Sequence, residues 1–400
     1  MQGKHITLAV TGAIAAYKAI HLLRLFREAG AEVQVIGTEH SLHFVGRETW
    51  EALSGRPPLF GLWETPDPSK IPHIMLGQEV DLVVVAPATA NMLAKAACGI
   101  ADDLVSTVLL AATAPVLFAP CMNTAMWEHP ATRRNVETLA ARPGIHFVQC
   151  AEGKLACGTE GKGRLAEPPT IFEMAEFLLT PKRPERFRWL ITAGATREYI
   201  DPVRFLSNGS SGLMGRSIAD AAWRLGGEVT LVTGPVADTT PRPYPVHTVT
   251  SAAEMATAVN EQVPLCDILV MSAAVADHAP VKSVAKQKKA GGDISLTLHS
   301  TPDILTGTIP LMRPDALRVG FAAETEDLIK NARGKRERKK LDLIVANLVS
   351  MELDPLGSQT NRVTLITADA QEELPLMPKR ELGTLLAVKI HDMAARKRSR

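Results

Sequence analysis

Two stretches of this chain begin in the same way, and that repetition limits the folds open to it more than any other feature. Ile6-Thr7-Leu8-Ala9-Val10-Thr11-Gly12 and Trp189-Leu190-Ile191-Thr192-Ala193-Gly194 are each a short apolar β-type run that breaks at a glycine. A loop of small residues follows each run and opens a helical pattern. Nucleotide-binding βα units start like this, with a buried strand, a turn and a helix whose first N–H groups are left to face a phosphate. Such a start belongs at the front of a domain, and 400 residues exceed one ordinary core. The expected architecture is therefore α/β, with two Rossmann-like parallel-sheet domains that each hold a phosphorylated ligand.

Composition narrows the functional classes. At 46% apolar and 22% charged residues the chain reads as a soluble globular protein, and a formal charge of +1 gives no overall pull toward nucleic acid or membrane. Cys98, Cys121, Cys150, Cys157 and Cys266 form no CxxC pair, which argues against zinc and against a disulfide framework. Reduced thiols and a cytoplasmic location are expected. Lys4 ahead of an apolar run imitates a signal peptide, but the same pattern at Trp189 makes a strand–turn–helix the better reading. The longest apolar stretch, 104–120, is broken by Pro115, so no membrane span is expected.

In the first half, strands are expected at 6–10, 32–37, 81–86 and 116–119, with helices at 13–29, 47–54, 92–98, 103–112 and 169–180. The proline-punctuated stretch from Pro57 to Pro72, with His73 at its end, reads as a functional loop. Glycines at 153, 158, 161 and 163 without periodicity read as a mobile flap carrying Cys157. Pro181-Lys182-Arg183-Pro184-Glu185-Arg186 is a polar, proline-bearing boundary, giving domains at 1–180 and 189–400 joined by a linker at 181–188. In the second half, strands are expected at 189–193, 228–233, 268–272, 318–322, 343–346 and 363–367, with helices at 212–225, 252–261 and 379–395.

Single residues in the first half are weak signals and an ordered series is a strong one. One glycine at Thr11-Gly12 suits a lone phosphate or no ligand at all. A lone histidine is usually a surface or satisfied core residue, and a flap thiol is either inert or a proton donor. Yet Thr-Gly-Ala-Ile-Ala-Ala-Tyr-Lys at 11–18, Pro-His-Ile at 72–74, Ala-Pro-Ala-Thr-Ala-Asn at 86–91, Asp-Leu-Val-Ser-Thr at 103–107, Pro-x-Met-Asn at 120–123 and Ala-Cys-Gly at 156–158 occur in order. The series resembles the flavoproteins that oxidatively decarboxylate C-terminal cysteine, and phosphopantothenoylcysteine decarboxylases in particular. The resemblance implies FMN against Thr11, Gly12, Ile14, Ala15, Thr38, Pro87, Thr89, Asn91, Ser106 and Thr107. It also implies that the cysteine moiety is oxidised to a thioaldehyde, loses CO2 and is reduced again, with FMN as electron acceptor and donor. His73 would be the base and orienting residue, Asn123 would hold the departing carboxylate, and Cys157 would protonate during reduction. Cys121 departs from the small residue usual before Met-Asn.

In the second half, Asn208-Gly209-Ser210-Ser211-Gly212-Leu213-Met214-Gly215 is a glycine–serine loop that could cradle phosphates or merely allow close packing. Ser272–Asp277 ends a strand with a carboxylate, and Lys286–Lys289 and Lys335–Lys340 supply positive charge that is otherwise solvated surface. Thr192–Glu198, Asp201–Arg204, Ala273–Asp277, Pro302-Asp303-Ile304, Gly320–Thr325 and Ala346-Asn347 complete a series that resembles phosphopantothenate–cysteine ligases. Together the halves resemble the bifunctional bacterial enzymes of coenzyme A synthesis over nearly the whole chain. The resemblance implies that 4′-phosphopantothenate attacks CTP, and that cysteine then displaces CMP from the acyl-cytidylate. Asn208 would position the acyl group and Arg204 the substrate end, with Lys286 stabilising activation. Ser210, Ser211, Gly212, Met271, Ser272, Ala273, Asp277, Pro302, Asp303, Ile304, Leu305, Phe321, Lys335 and Lys339 would line the substrate and nucleotide site, with Asp277 toward Mg²⁺. The family forms homo-oligomers, so a dodecamer is expected. Gly209 and Leu213 stand where the family commonly has basic residues, which predicts weaker nucleotide or phosphopantothenate binding. The rival readings are a flavin-binding regulator, and a flavin domain fused to an NAD(P)-dependent reductase. The latter lacks G-x-G-x-x-G and a Tyr-x-x-x-Lys pair in the second half.

Overall fold

A computed structural model describes the chain except residues 66–68, 70, 155–159, 287–294, 350–356 and 400, and the side chains of residues 154 and 160. It divides into two compact units, Met1–Pro181 and Lys182–Arg400.

The first unit is built on a five-stranded sheet. Its strands lie in the order Glu32–Gly37, His5–Val10, Leu82–Ala88, Val116–Pro120, Ile145–Phe147, and every pairing is parallel. Continuous apolar runs such as Leu82-Val83-Val84-Val85 are wholly buried because helices cover both faces. Chain direction reverses across the sheet between His5–Val10 and Leu82–Ala88, which opens a crevice at their carboxyl ends.

Three features of this unit differ from the sequence expectation. Helix Ala16–Glu28 starts three residues later than expected, because Ala13–Ala15 form turns instead. Pro72 does not end a loop but starts helix Pro72–Gln78 from its first turn, where a missing N–H costs nothing, so His73 is helical. The glycine-rich segment is an antiparallel hairpin, Ala151–Lys154 against Glu160–Arg164, while Cys157 lies outside the described residues.

The second unit carries an eight-stranded sheet. The order is Val246–Thr248, Glu228–Thr233, Arg188–Ala193, Ile268–Met271, Leu317–Glu324, Leu343–Leu348, Thr364–Ile366, Gln371–Glu373. The first six strands are parallel and the last two antiparallel. This is the doubly wound order in which the first strand is central, with a switch point between Arg188–Ala193 and Ile268–Met271. Helices Leu213–Arg224 and Lys379–Arg398 share one core with Ile191 and Val270. Helices Ala252–Gln262 and Leu328–Arg338 share the other with Leu190 and Leu269. The boundary segment read as a linker is packed here: Arg183 N–H donates to the Leu225 carbonyl at 3.0 Å, and Phe187 is buried. No helix among the described residues is long and apolar enough to cross a membrane.

Candidate functional site

At the first crevice, Thr11 is fixed by hydrogen bonds across the two central strands. Its hydroxyl donates to the Pro87 carbonyl at 2.7 Å and accepts from the Thr89 N–H at 3.1 Å. Thr89 in turn caps helix Ala90–Cys98, accepting from Met92 N–H. Thr38 N–H donates to the Val10 carbonyl, bringing the end of the neighbouring strand to the same edge. Gly12 permits close approach of the segment Glu39–His43, since a Cβ there would fall 2.6 Å from His40 Cβ. The Thr38 hydroxyl is buried and has no hydrogen-bond partner among the described residues. A buried hydroxyl without a partner is costly unless a ligand satisfies it, so this cradle of backbone and hydroxyl groups fits a flavin phosphate. Ile14 is exposed and Ala15 buried at the same loop, and Asn91 is exposed on the helix that Thr89 caps.

The remaining first-unit candidates are held by local capping. Ser106 is buried and forms a capping box with Asp103, while the Thr107 hydroxyl donates to the Asp103 carbonyl at 2.7 Å. Their hydroxyls are thus committed to the start of helix Leu104–Ala111. Asn123 caps helix Thr124–Glu128, its Oδ1 accepting from Met126 N–H at 2.8 Å. With the oxygen so used, the side chain presents its amide donors, which suits a carboxylate. His73 is half-buried in the first turn of Pro72–Gln78.

In the second unit, one cleft of about 540 Å³ lies at the carboxyl ends of the central strands. Asn208, Ser210, Gly212, Met271, Ser272, Ala273, Asp277, Pro302, Asp303, Ile304, Leu305, Phe321, Lys335 and Lys339 all line it. Asn208 joins the glycine–serine loop to the next strand end: its Nδ2 donates to the Ala274 and Val275 carbonyls at 3.2 and 3.1 Å. Gly212 takes φ +74°, which a side chain would strain, and Gly215 lies so close to the sheet that a Cβ would fall 2.6 Å from the Thr192 carbonyl oxygen. The Ser210 and Ser211 hydroxyls accept from the N–H groups of Gly212 and Leu213. The Ser272 hydroxyl is buried without a partner among the described residues.

The cationic edge of the cleft is more ordered than a solvated charge run. Lys335 and Lys339 close helix Leu328–Arg338 and its first turn beyond. Lys335 donates to the Phe321 carbonyl at 2.8 Å, and Lys339 to Asp303 at 2.9 Å. Burial, then the neighbouring Lys339 charge, lower the pKa of Lys335 against the opposing pull of Glu324, Asp277 and Asp303. Burial alone would raise the Asp303 carboxyl, but hydrogen bonds from Lys339 and Thr306 outweigh it and hold it below the usual range. Asp277 is exposed at the cleft. No cluster of three or more His, Cys, Asp or Glu side chains able to hold a metal occurs among the described residues. A Mg²⁺ ion bound mainly by substrate phosphates needs only one or two carboxylates, and Asp277 fits that lesser role.

Arg204 and Lys286 are not in the wall. Arg204 pairs with the fully buried Asp201 on the Arg197–Tyr199/Phe205–Ser207 hairpin, and Lys286 is exposed before residues 287–294. Sequence reading overlooked Thr301, Thr325, Asn361 and Lys379, which also line the cleft. Lys379 follows Pro378 at a helix start, the one available hint, and nothing in its local pattern marks it as buried.

The sequence matches the family model described as Flavoprotein over residues 1–178, and that of the DNA/pantothenate metabolism flavoprotein C-terminal domain over residues 185–393. The coenzyme A biosynthesis bifunctional protein CoaBC of Bacillus subtilis (strain 168) is 44% identical over 390 residues, spanning 96% of this chain and 95% of that one. The protein of the same name from Escherichia coli (strain K12) is 43% identical over 392 residues, 96% of each chain. A solved C-terminal domain of such a protein is 39% identical, with a TM-score of 0.44, covering 52% of this chain and 95% of that one. Two complete domain matches in one order, and relatives aligned from end to end, place the chain in the family of bifunctional coenzyme A biosynthesis proteins.

Proposed function

We propose that this chain performs two consecutive steps of coenzyme A synthesis and that its second unit acts first. There 4′-phosphopantothenate attacks CTP, releasing pyrophosphate and forming an acyl-cytidylate. Cysteine then displaces CMP to give phosphopantothenoylcysteine. The first unit removes the cysteine carboxylate of that product as CO2, leaving 4′-phosphopantetheine. The observation that carries this reading is the second-unit cleft. It sets a glycine–serine loop, an exposed carboxylate and two ordered lysines around one switch point.

Each part has a chemical reason. A carboxylate is a poor electrophile, and nucleotidyl transfer gives it a good leaving group. Charge then develops on phosphate oxygens, which Lys335, Lys339 and Mg²⁺ beside Asp277 would offset. Asp303 is committed to Lys339 and so orients that ammonium.

In the first unit, FMN would supply reversible two-electron oxidation of the cysteine moiety. The Thr38 hydroxyl and the backbone at Thr11–Ile14 would hold its phosphate. The amide donors of Asn123 would grip the carboxylate until it leaves, His73 would hold a proton in the first half-reaction, and Cys157 would return one in the second. A cytoplasmic homo-oligomer, a dodecamer by family resemblance, completes the reading.

The test is to supply CTP, 4′-phosphopantothenate and cysteine to the purified yellow protein and follow CMP and CO2. Stoichiometric release of both, with CMP dependent on cysteine, is expected. CMP release without cysteine, or none of the CO2, overturns the two-step scheme.

A further inference from the structure

The second-unit cleft contains a lysine that its nucleotide loop does not account for. Lys379 is only 1% exposed, yet it lies in the cleft wall with Asn347 and Asn361. A lysine this buried is rare unless its charge is compensated. Its backbone is anchored there. Thr360 and Asn361 pair antiparallel with Pro378 and Met377, and Lys379 N–H donates to the Gln359 carbonyl at 2.9 Å.

Lys379 opens helix Lys379–Arg398, which packs against helix Leu213–Arg224. The two approach most closely where Gly383 faces Ser217: a Cβ on Gly383 would fall 2.6 Å from Ser217 Cβ. That contact lies four residues into each helix, so Lys379 begins level with Leu213, and both first residues line the cleft. The loop Asn208–Gly215 holds no cationic side chain of its own. Lys335 and Lys339 stand on the helix that packs on the opposite face of the sheet and are bonded to Phe321 and Asp303. At the level of the glycine–serine loop, Lys379 is the cation of the described cleft wall. The partnerless Ser272 hydroxyl, 2.6 Å from where a Gly215 Cβ would lie, marks the same corner as one that a ligand completes.

We propose that Lys379 is a phosphate-binding residue of this cleft, its ammonium neutralising an anionic oxygen of a phosphorylated substrate seated against Gly212–Gly215. The inference rests on reading the second unit as a nucleotide-dependent ligase. The phosphate belongs either to the nucleoside triphosphate or to the phosphorylated acid that it activates, and the experiment separates the two.

In the full-length protein, Lys379→Met, Lys379→Arg and the double variant Lys379→Met/Leu213→Lys are compared for KM of CTP and of 4′-phosphopantothenate. Decarboxylation of phosphopantothenoylcysteine and the Tm serve as folding controls. Lys379→Met should raise one KM by about tenfold, the loss expected for a charge-assisted contact. Lys379→Arg should retain most of the affinity, and lysine at 213 should restore part of it. A rise confined to CTP assigns the triphosphate, and a rise confined to phosphopantothenate assigns the acid. Both constants within about twofold of wild type overturn the proposal, as does an unfolded Lys379→Met whose arginine and double variants fold but show no KM change. Calorimetric titration with pyrophosphate reads the contact without turnover, and equal affinity for wild type and Lys379→Met also overturns it. A wild-type chain that releases no CMP removes the ligase reading itself, whereas an active one with unmoved constants removes only this inference.

Discussion

Asn208 gives its amide hydrogens to two backbone carbonyls, those of Ala274 and Val275, and so holds the glycine–serine loop against the adjoining strand end. Asn208→Asp keeps the shape but sets a carboxylate oxygen against both carbonyls. The expected cost is about 1–3 kcal/mol locally, with CMP release falling by tenfold or more, about what that energy implies. CO2 release from added phosphopantothenoylcysteine should be unchanged in the same preparation, and an equal fall in both would point to misfolding. Thr11 plays the corresponding part in the first unit, accepting from Thr89 and donating to Pro87 while 1% exposed. Thr11→Val leaves that N–H and carbonyl unpaired, at about 1–3 kcal/mol. Flavin should then be lost on dialysis, visible as bleaching of the yellow colour, while ligase turnover persists. Both residues were legible in the sequence because each sits beside a glycine at the end of an apolar strand. Lys379 and Asn361 were not, since burial reaches them through a two-residue ladder that leaves no periodic trace.

Elements with a distinct start and stop were read almost to the residue. Helix Arg47–Ser54 ends where Gly55 takes φ +69°, and strand Glu228–Thr233 runs between two glycines. The failures are equally physical. Pro72 was read as a breaker when it is a helix first residue, and strands of two or three residues are too short to show a period. One loop also has a testable electrostatic clamp. Arg216 grips the Asp238 carboxylate and its carbonyl, and Arg242 bridges Asp238 and Asp220. The clamp lays Val236 over the phosphate loop, 2.7 Å from where a Cβ on Gly212 would be. Burial pushes Asp238 up, but hydrogen bonds from Thr240 and Arg216 outweigh it and lower the carboxyl to about 2 from 3.8. A folded value below the unfolded one gives stability that is full above the unfolded pKa and lost as pH falls through the folded one. The second unit should therefore loosen between about pH 4 and pH 2. Asp238→Asn should flatten that part of the acid-unfolding curve, followed by tryptophan fluorescence. Because the carboxylate is half exposed, the change in slope should be modest.

At the scale of the molecule, each unit owns its cores: Leu8, Val84 and Leu117 in the first, Ile191, Val270 and Val345 in the second. Separately expressed 1–181 and 182–400 should each fold cooperatively, the former releasing CO2 from phosphopantothenoylcysteine and the latter CMP. A fragment 189–400, cut at the sequence-read boundary, should be less stable, because it lacks the buried Phe187 and the Arg183–Leu225 hydrogen bond. Loss of an aromatic core residue costs about 3–5 kcal/mol, so a lower Tm in calorimetry would check it. The two-unit plan was legible from the repeated strand–glycine start, since a buried parallel strand has few other sequences. The extent of the second unit was not, because its first polar residues act through the backbone.

The last helix, Lys379–Arg398, supplies Leu382, Leu386, Ala387, Ile390 and Ala394 to the core around Ile191. During synthesis, the first unit can therefore close while the ribosome is still making the second. The ligase core must wait until nearly all of the chain has emerged. A transcript cut short before codon 379 would yield a product able to bind flavin but missing one side of its second core and the buried lysine of that cleft. Premature termination thus costs the cell its first reaction before its second, and released fragments would expose the apolar faces of Ile218 and Ala222 to chaperones and proteases.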